Sequence, residues 1–280
     1  MHMGFIWAAL DESADRERRH VFVVAGYLSR QQNWTEIERK WILRLEKESD
    51  PQPIKYFSNS ECMSLSGEFA RFHDGTKYPK PHGRLAADKI RDDLQGIMKE
   101  APAAGLALGV LLNDYRTIRK SSRARALLNT DPYEQAYTTA LICIAGNLED
   151  EMPSREIVAH LCDEHDRAVN VQNIYDELKR QNPICGQWMG SLSHMDNKKS
   201  PALQAADLLA ARCKDYLVEM IVSRDTQSLR DTFKSRVGGN VSIKYLDKRS
   251  LKMLVDANLL KGGKPSIYST QQLTFFENFP

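Results

Sequence analysis

The run Phe5-Ile6-Trp7-Ala8-Ala9-Leu10-Asp11-Glu12 decides how the chain is read. Six residues suited to the interior of a sheet end on two acids, so residues 5–12 read as a buried strand with carboxylates at its C-terminal end. The pattern recurs in Ile157-Val158-Ala159-His160-Leu161-Cys162-Asp163, a strand over 156–163. A third acid interrupts an apolar helical stripe in Leu203-Gln204-Ala205-Ala206-Asp207-Leu208-Leu209-Ala210. Asp207 lies four residues after Leu203 and three before Ala210, on the same face as both. A carboxylate taken from water into an apolar wall is costly unless something compensates its charge. Three such acids converging would repel one another, and a divalent metal would remove that penalty.

The rest of the order follows outward from the first strand. Residues 20–28 read as a second strand, joined to the first by a short polar loop as a hairpin. Asn33 reads as the cap of a helix carrying Trp34, Ile37, Trp41 and Leu45, and 83–100 as another helix. Ile54 to Phe57 reads as a short extended piece. Strand 104–112 is followed by a basic link, and Asp131-Pro132 opens the next helix. Helix 173–180 and strand 187–194 come next, and Ser200-Pro201 opens a helix running through Ile221. The fold expected is α/β: a mixed five-stranded sheet flanked by helices in the ribonuclease-H-like order. It occupies residues 1–221, with a helical insertion at about 29–103. Residues 222–280 are a C-terminal extension packed on the same domain, broken at Gly238-Gly239 and Gly262-Gly263, with a helix at 250–260.

The chain has 280 residues, 42% hydrophobic content and a formal charge of +2. That suits one large domain or two small ones. No apolar run approaches the roughly 20 residues of a membrane helix, and no signal-peptide pattern is read at the start. The expected setting is the cytoplasm, without membrane contact. Five cysteines, an odd number with no CxxC, argue against a disulfide framework or a closed zinc site. His160, Cys162 and His165 read as a strand end scattered over both faces rather than as zinc ligands.

Successive strand residues face opposite ways, so Asp11 and Glu12 do not share a face without a bulge. The aspartates are preferred as metal ligands: Asp11, Asp163 and Asp207. Glu12 and Glu134 are assisting candidates. Glu134 lies in a first helical turn, where dipole stabilisation explains it equally well. Read singly, each aspartate has a plain explanation: a turn, a solvated loop, a core ion pair. Read together, they form a carboxylate site for a hard cation, Mg²⁺ or Mn²⁺. Two such ions can activate water and stabilise the leaving oxygen of a phosphodiester. Arg116, Arg119, Lys120, Arg123 and Arg125 crowd the link after the third strand, with Lys198 and Lys199 before the last helix. Strands one, three and four run the same way in this order, so these cations fall near Asp163, where a phosphate backbone would meet them. The plain alternative is a solvated basic loop. His194 is a candidate proton shuttle or a loop histidine. No G-x-S-x-G elbow, Walker loop or G-x-G-x-x-G is present.

Leu10-Asp11-Glu12-Ser13, Phe22-Val23-Val24-Ala25-Gly26-Tyr27-Leu28 and the helix around Gln204-Ala205-Ala206-Asp207-Leu208-Leu209-Ala210 together resemble a prokaryotic family, domain of unknown function 3800, over about residues 5–221. The resemblance implies the ribonuclease-H-like superfamily, acidic metal ligands at Asp11, Asp163 and Asp207, with Glu12 in the first motif, and nuclease or related phosphoryl chemistry. Many relatives carry a histidine where this chain reads Tyr56-Phe57-Ser58. The expected function is therefore a metal-dependent nuclease on DNA or RNA. The alternative is a non-catalytic module on the same scaffold, binding nucleic acid, a protein partner or a second copy through the insertion or tail.

Overall fold

A computed structural model describes residues 5–15, 17–48, 52–73, 81–151, 156–164, 166–223 and 226–260. Alternation in the first strand sets the layers. In β1 (Phe5–Ala14), Ile6, Ala8 and Leu10 enter one apolar core, while Ala9 enters another on the opposite face. The chain continues through β2 (Val21–Arg30), α1 (Gln31–Glu46), α2 (Asn59–Ser64), α3 (His82–Glu100), β3 (Ala104–Leu111), α4 (Leu112–Ile118) and α5 (Ser122–Leu127). Then come α6 (Pro132–Glu151), β4 (Ile157–Asp163), α7 (Ala168–Gln181), α8 (Pro183–Trp188) and β5 (Met189–Met195). The last elements are α9 (Pro201–Val222), α10 (Thr226–Val237), β6 (Val241–Leu246) and α11 (Lys248–Leu260). The result is an α/β protein with a mixed sheet flanked by helices.

The sheet has six strands, in the order β5-β4-β1-β2-β3-β6. The pairs β1/β2 and β2/β3 are antiparallel; β1/β4, β4/β5 and β3/β6 are parallel. Five strands were expected. The sixth comes from the C-terminal extension, where Val241 to Leu246 pairs with Gly105 to Val110 of β3. Only Val241 and Leu246 of it are buried, so its apolar signal is weak. The expected basic link after β3 folds into α4 and α5, and Ile54–Phe57 pairs with no strand. Gly262-Gly263 and the rest of the tail, 261–280, lie outside the described residues.

One face of the sheet packs on α6 and α7 through Tyr137, Leu141, Tyr175 and Leu178. The other packs on α9, α1 and α3 through Leu203, Leu208, Leu209, Trp34, Trp41 and Leu94. Two of the expected helix starts form as read. Asp131 Oδ1 accepts from Tyr133 N at 2.9 Å, and Ser200 Oγ from Leu203 N at 3.3 Å. Asn33 does not cap α1, which begins at Gln31. Its amide instead donates to Ser29 Oγ at 3.1 Å and Pro102 O at 3.3 Å, tying the helix to the end of α3.

β1 and β2 pass unusually close at Gly26, paired with Leu10. A Cβ there would lie 1.7 Å from the carbonyl oxygen of Ala9. Backbone cannot yield as a flexible side chain can, so Gly26→Ala should destabilise the protein by roughly 2–3 kcal/mol in urea denaturation. A change within about 0.5 kcal/mol, the range of ordinary surface substitutions, would contradict this close approach.

Candidate acidic site at the strand ends

Parallel pairing of Leu10 with Cys162 leaves Asp11 and Asp163 next along on adjacent strands. Asp11 follows Ala9, and Asp163 follows Leu161, onto the face covered by α9. On α9 every side chain from Ala202 to Ala211 is buried except Asp207, which is partly open. It opens onto a cavity of about 660 Å³ lined by Asp11, Asp163 and Asp207, with Glu12, Lys214, Asp215 and the Ser58-Asn59-Ser60 segment. The three aspartates thus border one space.

Their electrostatics follow from burial first and from that crowding second. Asp11 is 5% exposed, and its carboxyl is held well above the ordinary carboxylate range. Burial is the main cause, followed by the charges of Asp207, Glu12 and Asp163; the bond from Glu12 N at 2.7 Å opposes them. Asp207 is pushed up to about 6, mainly by burial, with the charge of Asp163 adding. A hydrogen bond from Asn59 N at 2.8 Å, Arg91 and Lys214 act the other way. Asp163 Oδ1 accepts from Glu164 N and Asn197 N, each at 3.0 Å.

Among the described residues, no group of three or more His, Cys, Asp or Glu side chains stands close enough to hold a metal ion directly. The donor chemistry of the cavity nevertheless suits a hard cation. Its described lining contains carboxylate, amide and hydroxyl oxygens but neither histidine nor cysteine. Asn59, in the lining, carries a buried side-chain oxygen with no hydrogen-bond partner among the described residues.

One buried amide holds the walls together. Gln204 Oε1 accepts from Trp41 Nε1 at 2.9 Å and Phe57 N at 3.0 Å, while Nε2 donates to Asn197 O at 3.1 Å and Lys198 O at 3.3 Å. Both lone pairs and both N–H groups are used. The insertion and the turn before α9 are thereby fixed around Asp207. Gln204 was legible as a polar residue on a buried helical face, but its partners were not. Asn59 gave no signal, because the sequence does not say where the insertion lands.

The other expected residues are placed as follows. Glu12 turns toward α6, where Tyr137 Oη donates to Oε2 at 2.9 Å, and still borders the cavity at the strand end. Glu134 lies outside the cavity lining and accepts from Asn170 Nδ2 at 3.2 Å. Arg116, Arg119, Lys120 and Arg125 line a separate cleft of about 510 Å³, which Arg123 does not border. Arg116 Nη2 donates to Arg18 O at 3.0 Å, and Arg18 also lines the acidic cavity, so one loop joins the two spaces. Lys198 lies 4.8 Å over the Tyr56 ring and 3.7 Å from Glu61; Lys199 is exposed. His194 does not line the cavity; its Nδ1 is 3.5 Å from Asp163 O. His160 and Cys162, two residues apart, share the α6–α7 side of β4. Burial pushes His160 down to about 4 against Tyr175. His165 lies outside the described residues.

Compared with protein-family models the chain matches none, and a search of the curated proteins finds no match.

The raised Asp207 carboxyl gives a signed expectation. Its ordinary value is 3.8 and its folded value about 6, so the folded state holds the proton more tightly. Metal-free protein should therefore lose stability as pH rises from 3.8 to about 6, and remain at the lower level above. Asp207→Asn keeps an acceptor for Asn59 N and removes the charge. With chelator at pH 7.5 it should exceed wild type by on the order of 2 kcal/mol, the difference vanishing near pH 4. Parallel pH profiles in urea denaturation would contradict the raised Asp207 carboxyl.

Proposed function

We propose that this chain is a Mg²⁺- or Mn²⁺-dependent nuclease-like hydrolase of ribonuclease-H-like architecture, related to the domain of unknown function 3800 family. The observation that carries the reading is the cavity bordered by Asp11, Asp163 and Asp207, where the charges of Asp207 and Asp163 add to the proton affinity of Asp11 and the charge of Asp163 adds to that of Asp207. The strand order supports the architecture: an antiparallel β1-β2-β3 meander with β4 and β5 added parallel to β1.

In this reading Asp11, Asp163 and Asp207 hold the cation. When bound, it would supply an activated water and stabilise the leaving oxygen of a phosphodiester. The chain's own groups do the positioning. Glu164 N and Asn197 N aim Asp163, and Asn59 N aims Asp207. Glu12, anchored by Tyr137, is the assisting carboxylate at the rim. Lys214 in the cavity wall offers a positive charge to an entering phosphate. The cleft of Arg116, Arg119, Lys120 and Arg125 continues the path for a nucleic-acid backbone beyond the shared loop, with Arg123, Lys198 and Lys199 as outlying contacts. Among the described residues no helix is long and apolar enough to cross a membrane.

The test is Mn²⁺-dependent cleavage of end-labelled single- and double-stranded DNA and RNA. Asp11→Asn and Asp207→Asn should each lower the rate by roughly 100-fold or more while the protein stays folded. The double variant Lys120→Ala/Arg125→Ala should weaken binding to all sequences and flatten the salt dependence by about 2 in log–log slope. Undiminished cleavage by Asp207→Asn defeats the proposal. Binding that survives chelation, with no substrate cleaved, supports the non-catalytic module instead.

A further inference from the structure

We infer that the cleft lined by Arg116, Arg119, Lys120 and Arg125 is a seat for a phosphomonoester dianion, the terminal phosphate of a nucleic-acid strand, rather than a stretch of track for internal diesters. This rests on the nucleic-acid part of the reading above and deepens it, and it needs no metal. Four cationic side chains border one space of about 510 Å³, and no acid stands in its described lining. The acids nearest in the chain are committed elsewhere. Asp114 accepts from Lys248 N at 2.9 Å, Asp131 pairs with Arg167 at 3.0 Å, and Glu134 accepts from Asn170 Nδ2 at 3.2 Å. Among the described residues no carboxylate pairs with any of the four cations. Like charges gathered without counter-charge repel, and a multiply charged anion relieves that more fully than a single charge. A diester carries one negative charge, whereas a phosphomonoester carries about 1.5 to 2 near pH 7 and presents three acceptor oxygens. Two of the cations are also fixed in advance. Arg119 Nη1 donates to Thr130 O, its guanidinium lies 5.9 Å from the Tyr115 ring centroid, and its Nε is buried with no hydrogen-bond partner among the described residues. Arg116 Nη2 donates to Arg18 O at 3.0 Å. Arginine forks held this way keep further N–H groups for phosphate oxygens and lose less freedom on binding. Lys120 and Arg125 are exposed in the same lining and add charge to it. Arg18, which holds Arg116, also borders the acidic cavity, so a strand seated by its end would meet that cavity at a set distance from the end.

The experiment measures binding in chelator, so that cleavage plays no part. Fluorescence anisotropy is followed for short, internally labelled DNA and RNA strands that end in a 5′-phosphate, a 3′-phosphate or hydroxyls only. A strand with a terminal phosphate should bind about 10-fold or more tightly than its hydroxyl-ended counterpart. Lys120→Ala/Arg125→Ala should remove that preference, with thermal melts to verify folding. If the double variant does not fold, Lys120→Gln decides: it should lower the preference, and an unchanged preference rejects the assignment. Equal affinity for all three kinds of end, weakened alike by the double variant, overturns the seat and leaves the backbone path standing. A preference that persists undiminished in the folded double variant overturns it too. Free nucleoside monophosphate that binds the cleft, with no preference among strand ends, gives the anion to a small molecule and overturns the strand assignment. Absence of binding to every strand overturns the seat. A phosphate-end preference in protein that cleaves nothing with Mn²⁺ supports the seat while the hydrolase reading fails.

Discussion

The register between β1 and β4 is the constraint on which the site depends. Because Leu10 pairs with Cys162 in a parallel ladder, the residue that follows each strand core is delivered to the same end of the sheet, at the C-terminal ends of the two strands. Because side chains alternate, both aspartates then turn to the face that α9 covers. A slip of one residue in either strand would send its aspartate into the apolar core against α6 and α7. Two apolar layers hold the register in place, and the acids exploit it. Asp11 is deeply buried as a consequence, and its proximity to Asp163 and Asp207 makes the ionised state unfavourable without a compensating charge.

The second requirement is to bring chain from outside the sheet to the same end. Gln204 does this with one fully used amide. It binds α1 through Trp41, the segment before α2 through Phe57, and the turn before α9 through Asn197 and Lys198. It stands one helical turn before Asp207, so the geometry that satisfies the amide also sets the distance between the insertion and the carboxylate. The insertion is therefore part of the wall of the cavity, and Asn59 N is the contact by which it touches Asp207. The basic cleft on α4 and α5 is linked to that wall through the loop between β1 and β2, where Arg116 binds Arg18 O.

How much of this was legible varies with the physics of each element. β1, β2, β3 and β4 announce themselves as unbroken apolar runs because both of their faces are covered. The helix starts at Asp131-Pro132 and Ser200-Pro201 are local chemistry and survive in the fold. Asn33 misleads because tertiary contact with Ser29 and Pro102 competes for its side chain. β6 was missed because it lies at the edge of the sheet and only its two ends are buried. The three aspartates stood out as charges where hydrophobes were expected. Glu134 did not join them: first-turn position alone says nothing of which face of the sheet a helix covers, and α6 lies on the other side. Asn59 was invisible, since its role arises from a contact 148 residues away in the chain.

The most direct test of the shared cavity is anomalous diffraction from crystals grown in MnCl₂ near neutral pH. A peak among the carboxylates of Asp11, Asp163 and Asp207 is the result this account predicts. No peak there at saturating Mn²⁺, in crystals that retain the β1–β4 register, would contradict it.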